Sequence, residues 1–323
     1  MKIALITGII GQDGLYLSEL LLSKGYQVHG VDLSDGKNNT ASKINHILDK
    51  LVLYGGNVSD YATVRDLIDK IKPNEIYHLA AKHDLANSLN NYSEIQRTNV
   101  DSTYYFLNAI KELKPDCKFF FASSSKIFGK AVSSPQNEQT AFSPNSLYGI
   151  SKVVGMHLVK MYCDKYDIFS CSGILYNHES PRRDFNFLSR KITRAAARIK
   201  VGKEKELVLG NIDAKCDWGF AGDYVEAMWL MLQADEPDDY VIGTGEIHFV
   251  KDILDIAFEE VGLNWQDYVI LDKELFKKEG DCPIVADVSK IKNKLGWRPK
   301  VEFEDLIKMM IKEDMKLNGS KKL

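Results

Sequence analysis

Apolar positions along this chain follow two alternating patterns. Residues 3–6 form a short continuous run. After a glycine turn, Leu15, Leu17, Leu20, Leu21 and Leu22 recur at helical spacing, and Gly25 then leads into a second run over residues 28–33. Short continuous runs suit strands buried on both faces, and recurrence at three and four suits a helix with one buried face, so the opening reads as strand, helix, strand. The same alternation predicts strands over 51–54, 75–80 and 118–122, and helices near 61–72 and 92–113. Repeated βα units predict an α/β fold, a Rossmann-like doubly wound parallel sheet whose ligands sit at the carboxyl ends of its strands.

Beyond about residue 175 the alternation breaks up. N-H-E-S-P-R-R (177–183) and G-W-R-P (296–299) punctuate an irregular region that returns to the sheet around 240–244 and ends in a helix over 303–317. This predicts a smaller mixed α/β C-terminal substrate domain, from 176–213 and 246–323, beside a dinucleotide-binding domain from 1–175 with parts of 214–245. The tail N-G-S-K-K-L is expected to fray.

At 323 residues and 45% hydrophobic content the chain can bury a substantial core without staples. A net charge of −3 draws the surface as a whole neither to nucleic acid nor to anionic lipid. Five cysteines, scattered and without C-x-x-C spacing, read as reduced thiols and not as a metal site or disulfide framework. No apolar run approaches the roughly 20 residues of a membrane span, and M-K-I-A-L-I-T-G passes straight into a turn without a cleavage region. The expectation is a soluble, cytoplasmic protein with no nucleic-acid or membrane partner and no metal.

The turn after the first strand, T-G-I-I-G-Q-D-G, places Gly8, Gly11 and Gly14 at G-x-x-G-x-x-G spacing, with Gln12 and Asp13 between them. Glycines there let the backbone approach a pyrophosphate, whose charge the N-terminus of the following helix stabilises. Asp32 ends the second strand, where a carboxylate accepts hydrogen bonds from an adenosine ribose and repels a 2′-phosphate; this favours NAD over NADP, although Lys37 nearby can soften the discrimination. Asn57, Val58, Leu79, Ala80 and Ala81, near the ends of the third and fourth strands, complete the candidate cofactor set.

Tyr148 and Lys152 form Y-G-I-S-K. On a helix, four residues put both side chains on one face, so the ammonium can stabilise a phenolate and bring the tyrosine toward a useful base. Ser124, just after an apolar strand, can orient a substrate hydroxyl for loss of its proton.

Together these residues resemble the extended short-chain dehydrogenase/reductase family, with H-L-A-A (78–81) and the Asn99-Val100 pair in family order. G-I-L-Y-N-H-E-S-P-R-R (173–183), S-R-K-I-T-R-A (189–195), L-G-N-I-D (209–213), D-W-G (217–219) and L-G-W-R-P (295–299) resemble GDP-mannose 4,6-dehydratases. The resemblance implies Tyr148 as the base that starts C4 oxidation, Lys152 as its activator and Ser124 in place of a threonine. It implies that Asn177, Lys191 and Arg194 hold the nucleotide part of a GDP-sugar, with Ser88, Ser125, Lys215 and Lys277 also facing substrate, and a homodimer or homotetramer.

Departures from that pattern matter. S-S-S-K-I-F-G (123–129) places Lys126 where the family carries a glutamate; Cys216 replaces an arginine before D-W-G; and Lys277 replaces another arginine, keeping charge but losing the bidentate fork. The glutamate serves elimination of water, and a protonated lysine accepts no proton. Lys126 is a base only if its neighbours push its pKa down; otherwise it is cationic, or it pairs with a carboxylate such as Glu138 and a base comes from elsewhere. The expectation is NAD-dependent oxidation of C4 of a GDP-linked, manno-configured sugar, mannose or a heptose, stopping at the 4-keto sugar. The NADH then leaves or is reoxidised by a second carbonyl substrate. A 4,6-dehydratase with a non-standard base and a GDP-sugar epimerase are the alternatives.

Overall fold

The computed structural model describes residues 1–33, 46–83, 89–276 and 282–319. Its centre is a seven-stranded, all-parallel sheet built from β1 (Ile3–Thr7), β2 (Gln27–Asp32), β3 (Leu51–Gly55), β4 (Glu75–His78), β5 (Lys118–Ala122), β6 (Ser170–Leu175) and, later in the chain, Tyr240–Ile242. In space the order is β3-β2-β1-β4-β5-β6 followed by Tyr240–Ile242. The strand order reverses direction between β1 and β4, which opens a crevice there for a ligand. Helices α1 (Gln12–Ser23), α2 (Tyr61–Ile71), α3 (Ser102–Leu113) and α4 (Leu147–Tyr166) connect the strands. Two apolar layers sandwich the sheet, one around Leu5, Ile76, Phe106, Phe119 and Phe121, the other around Ile6, Val28, Tyr77, Phe120 and Met228. Consecutive phenylalanines in β5 thus alternate between the two faces, as the period of a strand requires.

The predicted strand over 75–80 stops at His78. The next two N–H groups, of Leu79 and Ala80, donate to the Thr7 hydroxyl oxygen at 3.0 and 2.9 Å instead of to a neighbouring strand. The return over 240–244 likewise stops at Ile242, because the N–H groups of Thr244 and Gly245 donate to the Asp217 carboxylate, each at 2.9 Å. Helix α3 is entered through a short α turn (Tyr92–Ile95) and a π-helical segment (Gln96–Asp101). Such segments are frequent at functional sites.

The second half adds three small strand pairs: β7 (Asn177–Glu179) with β10 (Trp218–Phe220), β8 (Leu207–Leu209) with β13 (Val269–Leu271), and β9 (Lys215–Cys216) with β12 (His248–Phe249). Around them pack α5 (Leu188–Lys200), α7 (Val250–Glu260) and α9 (Phe303–Gly319), sharing an apolar cluster that includes Ile192, Ile253, Phe258, Leu306 and Met310. Helix α6 (Ala221–Gln233) lies on the main sheet beside α1, whereas α8 (Ser289–Leu295) carries Ile291 into the same layer. Of the tail expected to fray, Asn318 and Gly319 are helical, since the Asn318 amide donates back to the Asp314 carbonyl at 2.8 Å. No described helix is long and apolar enough to cross a membrane, and no cluster of metal-ligating side chains occurs among the described residues.

Candidate active site

The glycine turn sits at the crevice. Gly8 adopts φ +68°, and a Cβ there would stand 3.1 Å from the Ala80 Cα, so the loops after β1 and β4 touch only because residue 8 lacks a side chain. Gly11 caps α1, and a Cβ on Gly14 would lie 2.5 Å from the Ile9 carbonyl oxygen. Thr7 organises the facing loop. Its hydroxyl, accepting from Leu79 and Ala80, gives its own proton to His78 Nδ1 at 3.0 Å, while His78 Nε2 donates to Ser102 at 3.0 Å. Burial and the Lys152 charge push the His78 pKa down to about 3, so this ring is a neutral strut.

Asp32 lies at the carboxyl end of β2, its carboxylate accepting the Leu33 N–H at 2.8 Å. Asn57 and Val58 follow β3 beside it, joined through the Gly56 N–H to the Asp32 carbonyl. Lys37 lies outside the described residues. Bare glycine backbone, a helix N-terminus and a terminal carboxylate on the neighbouring strand fit a dinucleotide with an unphosphorylated ribose.

Gln12 and Asp13 reach across to the second half of the chain. Gln12 donates to the His178 carbonyl at 3.0 Å and accepts from Ser180 at 2.8 Å. His178 donates through Nε2 to Asp13 at 2.9 Å and through Nδ1 to the Tyr176 carbonyl at 2.7 Å. Both ring nitrogens meet acceptors, which calls for the imidazolium. Burial opposes that charge, but the Asp13 carboxylate outweighs it and raises the His178 pKa, while His178 in turn lowers that of Asp13.

The side chains expected to react meet where β5 ends. Ser124 opens a 3₁₀ turn (Ser125–Ile127) with its hydroxyl accepting the Lys126 N–H at 3.3 Å, and Ser125 is buried. Helix α4 starts with Ser146 capping Gly149 at 3.1 Å. A Cβ on Gly149 would stand 2.6 Å from the Lys126 carbonyl oxygen, so the helix carrying Tyr148 lies directly against the serine turn. Tyr148 and Lys152 lie one turn apart on α4, with the Lys152 Nζ 5.5 Å from the centre of the phenol ring.

The electrostatics differ from the sequence-based expectation. Lys152 donates to the Ala122 carbonyl at 2.7 Å, and burial pushes its pKa down to about 7. Burial pushes Tyr148 up to about 12, opposed by a hydrogen bond with Ser124 and by the charge of Arg183. The largest influence on each of the two groups is burial, which disfavours its charged form. Lys126 is exposed and forms no ion pair among the described residues. The alternative partner, Glu138, instead accepts the Val241 N–H at 2.8 Å, on the edge strand two places from β5.

Two neighbours were not singled out from sequence. His83 stacks on Tyr148 with ring centres 4.7 Å apart and planes at 26°. Arg183 lies over Phe187 at 3.6 Å and forms an ion pair with Glu179 at 3.2 Å. His83 follows H-L-A-A by one residue at the carboxyl end of β4, a position where the fold itself places ligands.

A cavity of about 560 Å³ between α5 and β8 is lined by Phe185, Lys191, Arg194, Glu204 and Glu206, among others. It brings two expected substrate residues together: Lys191 donates to the Val208 carbonyl at 2.7 Å, and the Arg194 guanidinium covers the Phe185 ring at 4.5 Å. Asn177 lies in β7, its amide 3.5 Å from the Asp217 carbonyl. Lys215, on β9, extends over Phe249 at 5.2 Å and does not line this cavity. Ser88 and Lys277 lie outside the described residues.

Residues 5–310 match the family model described as GDP-mannose 4,6 dehydratase. The chain is 46% identical over 334 residues to GDP-mannose 4,6 dehydratase 1 of Arabidopsis thaliana, covering 100% of this chain and 92% of that protein. It is 38% identical to the GDP-mannose 4,6 dehydratase of Homo sapiens, covering 98% and 92%. In fold it is similar to the UDP-glucose 4-epimerase of Thermotoga maritima, with TM-score 0.85, 24% identity and coverage of 98% and 99%. The dTDP-glucose 4,6-dehydratase of Bacillus anthracis gives TM-score 0.83 at 20% identity, covering 98% and 97%. The crevice at the β1/β4 reversal, the Ser124, Tyr148 and Lys152 cluster and these matches lead to one statement of kinship: the chain belongs to the GDP-mannose 4,6-dehydratase family.

Proposed function

We propose that this protein oxidises C4 of a GDP-linked, manno-configured sugar with NAD and releases a 4-keto sugar that retains its C6 oxygen. The observation that carries the reading is one cleft in which the oxidising set of Ser124, Tyr148 and Lys152 adjoins an exposed Lys126 with no counter-charge among the described residues. NAD, when held by the glycine turn and Asp32, supplies the hydride acceptor. Ser124 orients the C4 hydroxyl, and Tyr148 takes its proton once the phenol has passed its own to Lys152. With a pKa near 7, Lys152 can accept that proton, and the resulting ammonium stabilises the phenolate beside it. Lys191 and Arg194 suit phosphate oxygens. Elimination of water from C6 needs proton transfer at both C5 and the departing C6 oxygen, and the position from which the family's glutamate serves that step holds Lys126 here.

Complete 4,6-dehydration is the second reading, favoured by 46% identity along the entire chain to a relative of that name. Incubation of the protein with NAD and GDP-mannose or a GDP-manno-heptose separates the two by mass spectrometry. Loss of two hydrogens supports the retained oxygen; loss of water overturns it.

Several finer points belong to the same reading. The cofactor unit comprises 1–175 with parts of 214–245, and the sugar-nucleotide unit 176–213 and 246–323. The enzyme is cytoplasmic, and its NADH leaves or passes its hydride to a second carbonyl compound. A homodimer or homotetramer is supported by the exposed apolar residues Ile150, Val154 and Met161 on α4 and Tyr104 on α3.

A further inference from the structure

We propose that His83 is a catalytic proton-transfer residue that removes and returns the C5 proton of a 4-keto GDP-sugar. The inference rests on the proposed C4 chemistry for its substrate class, but not on how the ketone arises.

Three observations converge on this ring. His83 lies face to face with Tyr148 and meets the edge of Phe187, with centres 5.9 Å apart and planes at 89°, so it forms a wall of the reacting cleft. Its two nitrogens have no hydrogen-bond partner among the described residues and the residue is exposed, in contrast to His78 and His178, each held at both nitrogens. Its place is also fixed. Asn99, in the π-helical segment, accepts from the Lys82 N–H at 2.7 Å and donates to the Lys82 carbonyl at 3.1 Å and to Ser151 on α4 at 3.0 Å. The residue before His83 is thereby tied to the helix that carries Tyr148.

The chemistry follows from position. A sugar whose O4 meets Tyr148 carries C5 two bonds from that oxygen, and the ring stacked on Tyr148 is that of His83. Once C4 is a ketone, the C5 hydrogen is acidic. The imidazole takes the proton, the C5–H electron pair becomes the enolate double bond, and the carbonyl pair moves onto O4; the imidazolium then returns a proton to C5 and the ketone is restored. No oxidant is consumed. Desolvation, Lys152 and Arg183 hold the His83 pKa below its ordinary value although the ring still touches solvent, which keeps it in the accepting form. Two other candidates are engaged elsewhere: Tyr148 at O4 and Lys152 at the Ala122 carbonyl.

The test uses GDP-4-keto-mannose prepared chemically and supplied in D2O to the intact protein without added NAD, with deuterium at C5 followed by mass spectrometry and NMR. The expected result is exchange above the protein-free rate, reduced at least about 100-fold in both His83→Ala and His83→Phe. Retained GDP affinity shows that these variants are folded. Exchange at the parent rate in His83→Phe, which keeps the aromatic stack but has no nitrogen, overturns the proposal, as does a parent that catalyses no exchange. Failure of the parent to form NADH from GDP-sugars would overturn the C4 oxidation reading instead, leaving the exchange result to stand by itself.

Discussion

The Lys152 Nζ stands 2.7 Å from the Ala122 carbonyl oxygen, so the last residue of β5 holds the buried amine that lies one helical turn from Tyr148. This lysine costs stability. Its folded pKa of about 7 lies below its unfolded value, so between these the unfolded chain binds more protons and stability rises with pH. The penalty is full below pH 7 and is relieved toward pH 10.5. Lys152→Met should therefore be more stable than the parent by roughly 2–4 kcal/mol at pH 6, a gain that vanishes toward pH 10. Thermal unfolding across that range measures the difference, and a pH-independent gain would contradict it.

A second buried charge behaves oppositely. Arg190 and Asp314 join α5 to α9 as a buried ion pair, and Thr193 donates to the same carboxylate at 2.8 Å. Asp314→Ala leaves a guanidinium unpaired in the interior and should cost about 3–5 kcal/mol in urea unfolding. A combined Arg190→Met and Asp314→Leu change should recover most of that loss.

Asp32 should select the cofactor. Asp32→Ala removes both the ribose acceptor and the repulsion of a 2′-phosphate, and should narrow the ratio of kcat/KM for NAD over NADP by roughly tenfold, about 1.4 kcal/mol. Equal use of the two cofactors by the parent would sink the assignment.

Lys126→Glu should add elimination. The substitution places a carboxylate beside Ser124, and the yield of a product lacking the elements of water should rise by about 100-fold or more. If mass spectrometry finds no such gain, position 126 does not by itself decide the product.

Legibility in the sequence followed locality. β5 was readable to the residue because Lys118–Ala122 is set by its own apolar run, and α9 began where its periodicity began. The ends of β4 and of Tyr240–Ile242 were not readable, because each is set by a polar side chain distant in sequence, Thr7 in one case and Asp217 in the other. The Tyr148 and Lys152 pair declared itself by spacing. His83 did not, because its importance comes from a stack with a residue 65 positions away and from the Asn99 clamp. The surroundings of Lys152 were hidden for a related reason: spacing places the amine on the right face of the helix, but the Ala122 carbonyl that it meets there belongs to a strand 30 positions earlier.

The bridge from Gln12 and Asp13 to His178 and Ser180 sets a limit on engineering. The first turn of α1 completes its polar contacts only with residues more than 160 positions further on. Grafting the first 175 residues onto the sugar-binding half of a distant relative would bury an aspartate facing whatever replaced His178. Chimeras in this fold therefore have to exchange 12–13 and 178–180 as a set, and their junctions are better judged by that pairing than by where the sheet ends.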